Sequence, residues 1–271
     1  MKRPKSPLAL LLPAAVLLIG ASEPQHYQSS PERRTVSDTR DWGPWAGPFR
    51  EKLVPSMMQD FGERYLYAPA NAALPAPARN EQRVVFIGDS ITDMWDLARY
   101  FPGKPYVNRG IGSQVTAQML VRFQQDAVAL KPRVVVILGG VNDVSGFLQI
   151  ESEDGIVANI EAMADIADRH GIRVVLSSIL PVTNTPSADY VIRERKPDML
   201  RRINARLQAL AKARGYAFAN YYPALAGADG LMDQSLTTDG VHPLPAGYIR
   251  MTPIIQAAIE QALAGPATAK P

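Results

Sequence analysis

Residues 83–92 read Arg83-Val84-Val85-Phe86-Ile87-Gly88-Asp89-Ser90-Ile91-Thr92, a run of four apolar side chains that ends abruptly on Gly-Asp-Ser. A strand with one wet face alternates apolar and polar residues, whereas a strand covered on both faces has no reason to. Residues 84–87 are therefore expected to form a buried strand of a parallel sheet. The same unalternating pattern recurs at 133–138, where Val134-Val135-Val136-Ile137-Leu138 is its strongest form, at 172–180, and more weakly at 105–108 and 216–220. Amphipathic stretches at about 92–100, 116–130, 154–170, 196–214 and 246–263 have the spacing of helices. This alternation predicts an α/β fold, a three-layer α/β/α sandwich with a five-stranded parallel sheet in flavodoxin-like, doubly wound topology, over residues 81–265.

A chain of 271 residues with 46% hydrophobic content suits one or two packed domains. It has no cysteine, which excludes disulfide frameworks, thiolate metal sites and a cysteine nucleophile. Residues 1–22 combine a basic start (Lys2, Arg3, Lys5), an apolar stretch at 8–19 broken by Pro13, and Gly20-Ala21-Ser22. That is the layout of a secretory signal peptide, cleaved near Ala21 or Ser22. The apolar stretch is shorter than the roughly 20 residues that span a bilayer, and no cysteine follows to carry a lipid. The expected destination is the periplasm or the exterior, without a stable membrane anchor.

Residues 23–80 read as an N-terminal tether and packing arm. Positions 23–41 are polar and aperiodic, whereas Trp42, Trp45, Phe49, Leu53, Met57, Met58, Phe61, Tyr65 and Leu66 offer apolar surface to pack on something. A helix is expected around 56–67, then a Pro/Ala linker to Asn80, and residues 266–271 read as a disordered tail. The formal charge of +3 belongs to the leader, because without Lys2, Arg3 and Lys5 the basic residues equal the 26 acidic ones. A neutral mature chain gives no reason to expect a nucleic-acid partner.

In an open parallel sheet, ligands bind beyond the carboxyl ends of the strands. The polar, glycine-flanked junctions there are Gly88-Asp89-Ser90, Gly139-Gly140-Val141-Asn142-Asp143 and, after the last strand, Asp239-Gly240-Val241-His242-Pro243. Only three histidines exist: His26 lies in the tether and His170 before Gly171 at a helix end, leaving His242 as the candidate general base. Asp239, three residues earlier across a glycine loop, can accept from one ring nitrogen while the other points away. Ser90 would present its hydroxyl at the mouth of the sheet with its own N–H near a helix start, and Asn142 could add a donor from the adjacent strand end. Each residue alone has a plainer reading, Ser90 as a helix cap, Asn142 as a turn residue and Asp239–His242 as a surface turn.

Together these blocks resemble the SGNH-hydrolase superfamily, the GDSL-type esterases and lipases, over about residues 83–251. Gly88-Asp89-Ser90-Ile91-Thr92 resembles the nucleophile block, Asn108-Arg109-Gly110-Ile111-Gly112-Ser113 the second block, Gly140-Val141-Asn142-Asp143 the third and Asp239-Gly240-Val241-His242-Pro243 the last. Phe101-Pro102-Gly103-Lys104 and Gly247-Tyr248 are similar to bacterial acylhydrolases related to platelet-activating-factor acetylhydrolase. The resemblance implies a serine esterase with a Ser90–His242–Asp239 triad and an oxyanion hole made by the N–H of Ser90, the N–H of Ser113 and the side chain of Asn142. The second block usually ends on glycine where this chain has Ser113, so Gly112 is the alternative donor; if that position needs positive φ, a serine there is strained. No metal or organic cofactor is implied. Asp89 and Asp143 are expected to pair with nearby backbone N–H groups or with Arg109.

Phosphate-loop and dinucleotide-binding signatures are absent from the sequence. Two segments are expected to line the pocket, 144–153 with Phe147 and Leu148, and 182–197 with Tyr190. Their modest apolar content suggests short-chain acyl or acetyl esters of small molecules or carbohydrates. A carbohydrate O-acetylesterase, a lysophospholipase or a thioesterase would use the same scaffold, and a non-catalytic carbohydrate-binding domain or an acyltransferase are readings of another class. Oligomeric state is not encoded in these motifs.

Overall fold

The structure, a computed structural model, describes residues 44, 46–146, 148 and 151–265. The expected leader (1–22), the tether (23–41), Trp42, Trp45, Phe147 and the expected tail (266–271) lie outside the described residues. Five strands, β1 (Val84–Gly88), β2 (Tyr106–Gly110), β3 (Val134–Leu138), β4 (Arg173–Ser177) and β5 (Ala217–Ala219), form one all-parallel sheet in the order β2-β1-β3-β4-β5. Every residue of β1 and β3 is buried, as unalternating apolar strands under two helical layers must be. The sheet is the five-stranded α/β/α fold expected from the sequence.

Eleven helices are described: α1 (Ala46–Gln59), α2 (Ala68–Ala73), α3 (Ser90–Asp93), α4 (Leu97–Tyr100), α5 (Thr116–Asp126), α6 (Val141–Ser145), α7 (Glu153–Arg169), α8 (Val191–Arg195), α9 (Pro197–Arg214), α10 (Tyr222–Leu225) and α11 (Pro245–Ala264). Helices α5, α7 and α9 pack in sequence beside one another, while α11 lies over β3, β4 and β5 and meets α4. Under α11 and α4, Trp95 meets Phe86 edge-on at 6.0 Å and Tyr248 at 5.3 Å, an aromatic cluster that fixes the turn between α3 and α4. The register pairs Gly88 with Gly110 and with Leu138, so β1, β2 and β3 end level. Their three following loops are thereby set side by side.

The structure departs from the expected elements around Trp95 and along the arm, and it adds the short helices α6, α8 and α10. The single helix at 92–100 is two short ones, because Trp95 is drawn into the core, the Asp96 carboxylate caps α4 through the Arg99 N–H, and Asn108 Nδ2 takes up the Thr92 and Trp95 carbonyls. The helix expected at 56–67 instead spans Ala46–Gln59 and stops before Glu63, whose φ of +51° is incompatible with a helix. The Pro/Ala linker that should follow contains α2, started by proline in its first turn.

This arm is tied to β2 and α5. Tyr67 Oη donates to the Gly110 carbonyl at 2.6 Å, Asn71 Nδ2 to Asp126 at 2.7 Å and Gln118 Nε2 to the Phe61 carbonyl at 2.8 Å. Gln114 Nε2 donates to Glu63 at 3.1 Å.

Candidate active site

Ser90 is the first residue of α3 and only 8% exposed. Asp89, extended before it, accepts the Ile91 N–H at 3.0 Å, which turns the chain sharply from strand into helix and leaves Ser90 at the sheet's carboxyl edge. The approach needs glycine at 88, where a Cβ would lie 2.1 Å from Thr92 Oγ1 and 2.6 Å from the Leu138 carbonyl. The last loop is equally constrained. Gly240 has φ +84° and would place a Cβ 2.0 Å from the Thr183 carbonyl, and its own carbonyl accepts the Thr183 N–H at 2.9 Å.

The structure brings Ser90, His242 and Asp239 into one line. His242 Nδ1 lies 2.6 Å from Asp239 Oδ2, and Ser90 Oγ lies 2.8 Å from His242 Nε2. With Nδ1–H donating to the carboxylate, Nε2 is the acceptor for the serine hydroxyl. The other Asp239 oxygen accepts the N–H groups of Val241 and His242, each at 2.9 Å. Half-burial alone would raise the Asp239 pKa, but the His242 ring and these two N–H groups hold the carboxyl well below the ordinary range.

Asn142, in α6 after β3, is buried and donates through Nδ2 to the Gln114 carbonyl at 3.1 Å, which fixes its amide orientation at the cavity. Ser113, after β2, has φ +67°, the left-handed region that the sequence had flagged as the costly case. Its hydroxyl turns back onto the Gly112 carbonyl, leaving the backbone as the group available at that position. Burial raises the pKa of the nearby Asp93 carboxyl, and the Gly112 N–H lowers it.

Asp89 and Asp143 do not meet Arg109, the partner entertained for them. Asp89 holds the Ile91 N–H, and Asp143 accepts both the N–H and the hydroxyl of Thr116. Arg109 turns the other way, to Asn71 and over the Tyr67 ring, because the arm covers that side of β2. Burial pushes the Asp89 carboxyl up to about 6 and that of Asp143 up to about 7. His170 follows the last residue of α7, as its position before Gly171 suggested, and His26 lies outside the described residues.

These groups open onto a cavity of about 840 Å³. Tyr190 lines it, as expected of segment 182–197, together with Arg195, which is buried and paired with Glu194 at 2.8 Å. Reading the sequence did not place Phe49, Leu53, Glu63, Leu66 and Tyr67 of the arm at this cavity. For Phe49, Leu53 and Leu66 the only signal was apolar content far from the motifs, and Glu63 and Tyr67 carried none. No group of three or more histidine or acidic side chains is placed to hold a metal among the described residues.

Residues 86–250 match the model of the GDSL-like lipase/acylhydrolase family. A GDSL-like lipase from Bacteroides thetaiotaomicron is 38% identical, with a TM-score of 0.70 over 75% of this chain and all of that one. An acetylxylan esterase from Geobacillus stearothermophilus, 19% identical with a TM-score of 0.54 over 70% of this chain and 97% of its own, shares the fold. Among curated proteins, the uncharacterized lipoprotein YqeF of Bacillus subtilis is 28% identical over 123 residues, so the chain spans about half the length of that relative. The fold is the parallel-sheet α/β fold of these hydrolases. The chain belongs to the GDSL-like lipase/acylhydrolase family and is a carboxylic ester hydrolase.

Proposed function

We propose that the protein hydrolyses carboxylic esters through an acyl-enzyme on Ser90, with His242 as general base and acid and Asp239 as the residue that orients and stabilises the imidazole. The supporting observation is the unbroken chain Ser90 Oγ, His242 Nε2, His242 Nδ1, Asp239 Oδ2, with links of 2.8 and 2.6 Å, opening onto the cavity. In the first half-reaction Nε2 takes the Ser90 proton as Oγ bonds to the ester carbonyl carbon. The resulting oxyanion is met by the N–H of Ser90, the N–H of Ser113 and the Asn142 amide. Collapse breaks the ester C–O bond, and the leaving alcohol takes the proton from Nε2. Water then repeats the sequence on the acyl-enzyme, releasing the acid and restoring Ser90.

Of the two segments expected at the pocket, 182–197 lines the cavity through Tyr190, Val191 and Arg195 and no described residue of 144–153 does, and p-nitrophenyl acetate serves as the first ester to try. The leader at 1–22 makes export part of the same reading, in keeping with YqeF being a lipoprotein. No described helix is long and apolar enough to cross a membrane. The direct test is hydrolysis of p-nitrophenyl acetate together with fluorophosphonate labelling. Wild type is expected to turn over the ester and take the label, and Ser90→Ala to lose both. Undiminished hydrolysis by Ser90→Ala would remove Ser90 from the mechanism.

A further inference from the structure

We infer that the N-terminal arm forms the acyl-chain subsite of this enzyme, and that it receives an unbranched acyl group of medium length. The inference rests on Ser90 being the nucleophile. It comes from where the two sides of the cavity lie on the sheet. The strand order puts β2 at one edge and β4 and β5 at the other. His242 sits in a loop clipped to the segment after β4 through Thr183 and Gly240, and Tyr190 and Arg195 belong to the same side. The arm is bonded to the opposite side, to Gly110 at the end of β2 and to Gln114 just beyond it.

Stereochemistry then assigns the two sides. Around the attacked carbon, the carbonyl oxygen must face the N–H donors, and the leaving oxygen must lie within reach of His242 Nε2 to collect its proton. The alcohol is thereby directed to the β4 side, where Tyr190, Arg195 and Asp239 are polar. The remaining substituent, the acyl chain, extends toward β2. There it meets Phe49 and Leu53 of α1, Leu66 after it, and Met94 at the end of α3.

That surface is apolar and incompletely covered, Leu66 being 46% and Met94 58% exposed. Of the acids on this side, Glu63 is engaged by Gln114 Nε2 at 3.1 Å. Each further methylene that leaves water for such a surface strengthens binding by up to about fourfold. The expectation of short acyl groups was drawn from segments 144–153 and 182–197 alone and did not count this wall.

The test uses the full chain on p-nitrophenyl acetate, hexanoate and octanoate. Wild-type kcat/KM is expected to rise at least tenfold from acetate to hexanoate. Leu53→Trp and Met94→Trp, which fill the wall from two different elements, should each lower the hexanoate-to-acetate ratio at least tenfold. A wild-type preference for acetate overturns the subsite whatever the variants do, and so does a ratio unchanged in both variants. Loss of folding in one variant leaves the other and the wild-type profile to decide. Activity that survives Ser90→Ala on every ester is a different failure, that of the nucleophile and not of the arm.

Discussion

Ser113 holds φ +67° at a position where the second block usually has glycine. A left-handed residue with a Cβ costs about 1–2 kcal/mol, and a short polar side chain lowers that cost by bonding locally, as the Ser113 hydroxyl does to the Gly112 carbonyl. If the N–H is what matters, Ser113→Gly keeps the donor and relieves the strain. Hydrolysis of p-nitrophenyl acetate should then survive that change, whereas Ser113→Val, β-branched and unable to make the local bond, should lower kcat by about tenfold or more. Equal losses in the two variants would point to the hydroxyl. Asn142 Nδ2 donates to the Gln114 carbonyl, which orients the amide, and its second N–H is the group that the proposed oxyanion role would use. Asn142→Ala should reduce kcat about 100- to 1000-fold with a much smaller change in KM, the signature of a group used mainly in the transition state.

At the scale of elements, the strand-to-helix turn at Asp89 carries a titration. One Asp89 oxygen caps α3, and the other is buried with no hydrogen-bond partner among the described residues. Burial therefore raises its pKa from an ordinary 3.8 to about 6. The native state then binds a proton that the unfolded chain has released, so stability falls as pH rises from about 4 to about 6 and remains lower above that. Asp143 acts in the same sense up to about 7. Asp89→Asn keeps the cap and cannot ionise. In urea unfolding its advantage over wild type should be small near pH 4, grow to pH 6 and level off at up to about 3 kcal/mol. Parallel pH curves for the two proteins would show that Asp89 does not titrate in this window.

The same turn shows what the sequence could reveal. Strands β1 and β3 were legible because an unalternating Val/Ile run has one economical explanation, Ser90 and Asn142 because each follows a strand on a glycine-flanked junction, and His242 because it stands beside a glycine loop three residues after Asp239. The break between α3 and α4 was not, since it depends on Trp95 finding Phe86 and Tyr248, the latter 153 residues along the chain. The arm's place at the cavity was hidden for the same reason. Its bonds to Gly110, Gln114 and Asp126 are made by ordinary side chains across 40 to 60 residues, with no local pattern to announce them.

For the molecule as a whole, Arg122 is the side chain on which these parts converge. It is fully buried in α5, and its guanidinium donates to the Gly88 carbonyl at 2.9 Å, the Arg109 carbonyl at 2.8 Å and Gln114 Oε1 at 2.6 Å, with Asp126 at 3.2 Å as counter-ion. The first contact fixes the strand end before Ser90, the second the end of β2, and the third the residue that also holds Glu63 and Asn142. Asp126 in turn accepts from Asn71 of the arm. Burial pulls the Arg122 pKa down and Asp126 pushes it back, as expected of a buried pair that depends on its geometry. Arg122→Met strips Asp126 of its counter-ion and removes the guanidinium N–H groups from the Gly88 and Arg109 carbonyls and from Gln114 Oε1, so it should cost about 3–5 kcal/mol in urea unfolding. Arg122→Met with Asp126→Leu removes the stranded charge and should recover part of that loss. Activity should not return with it, because the carbonyls of Gly88 and Arg109 still lack the group that held them. A double variant as active as wild type would show that the loops around Ser90 are positioned without this residue.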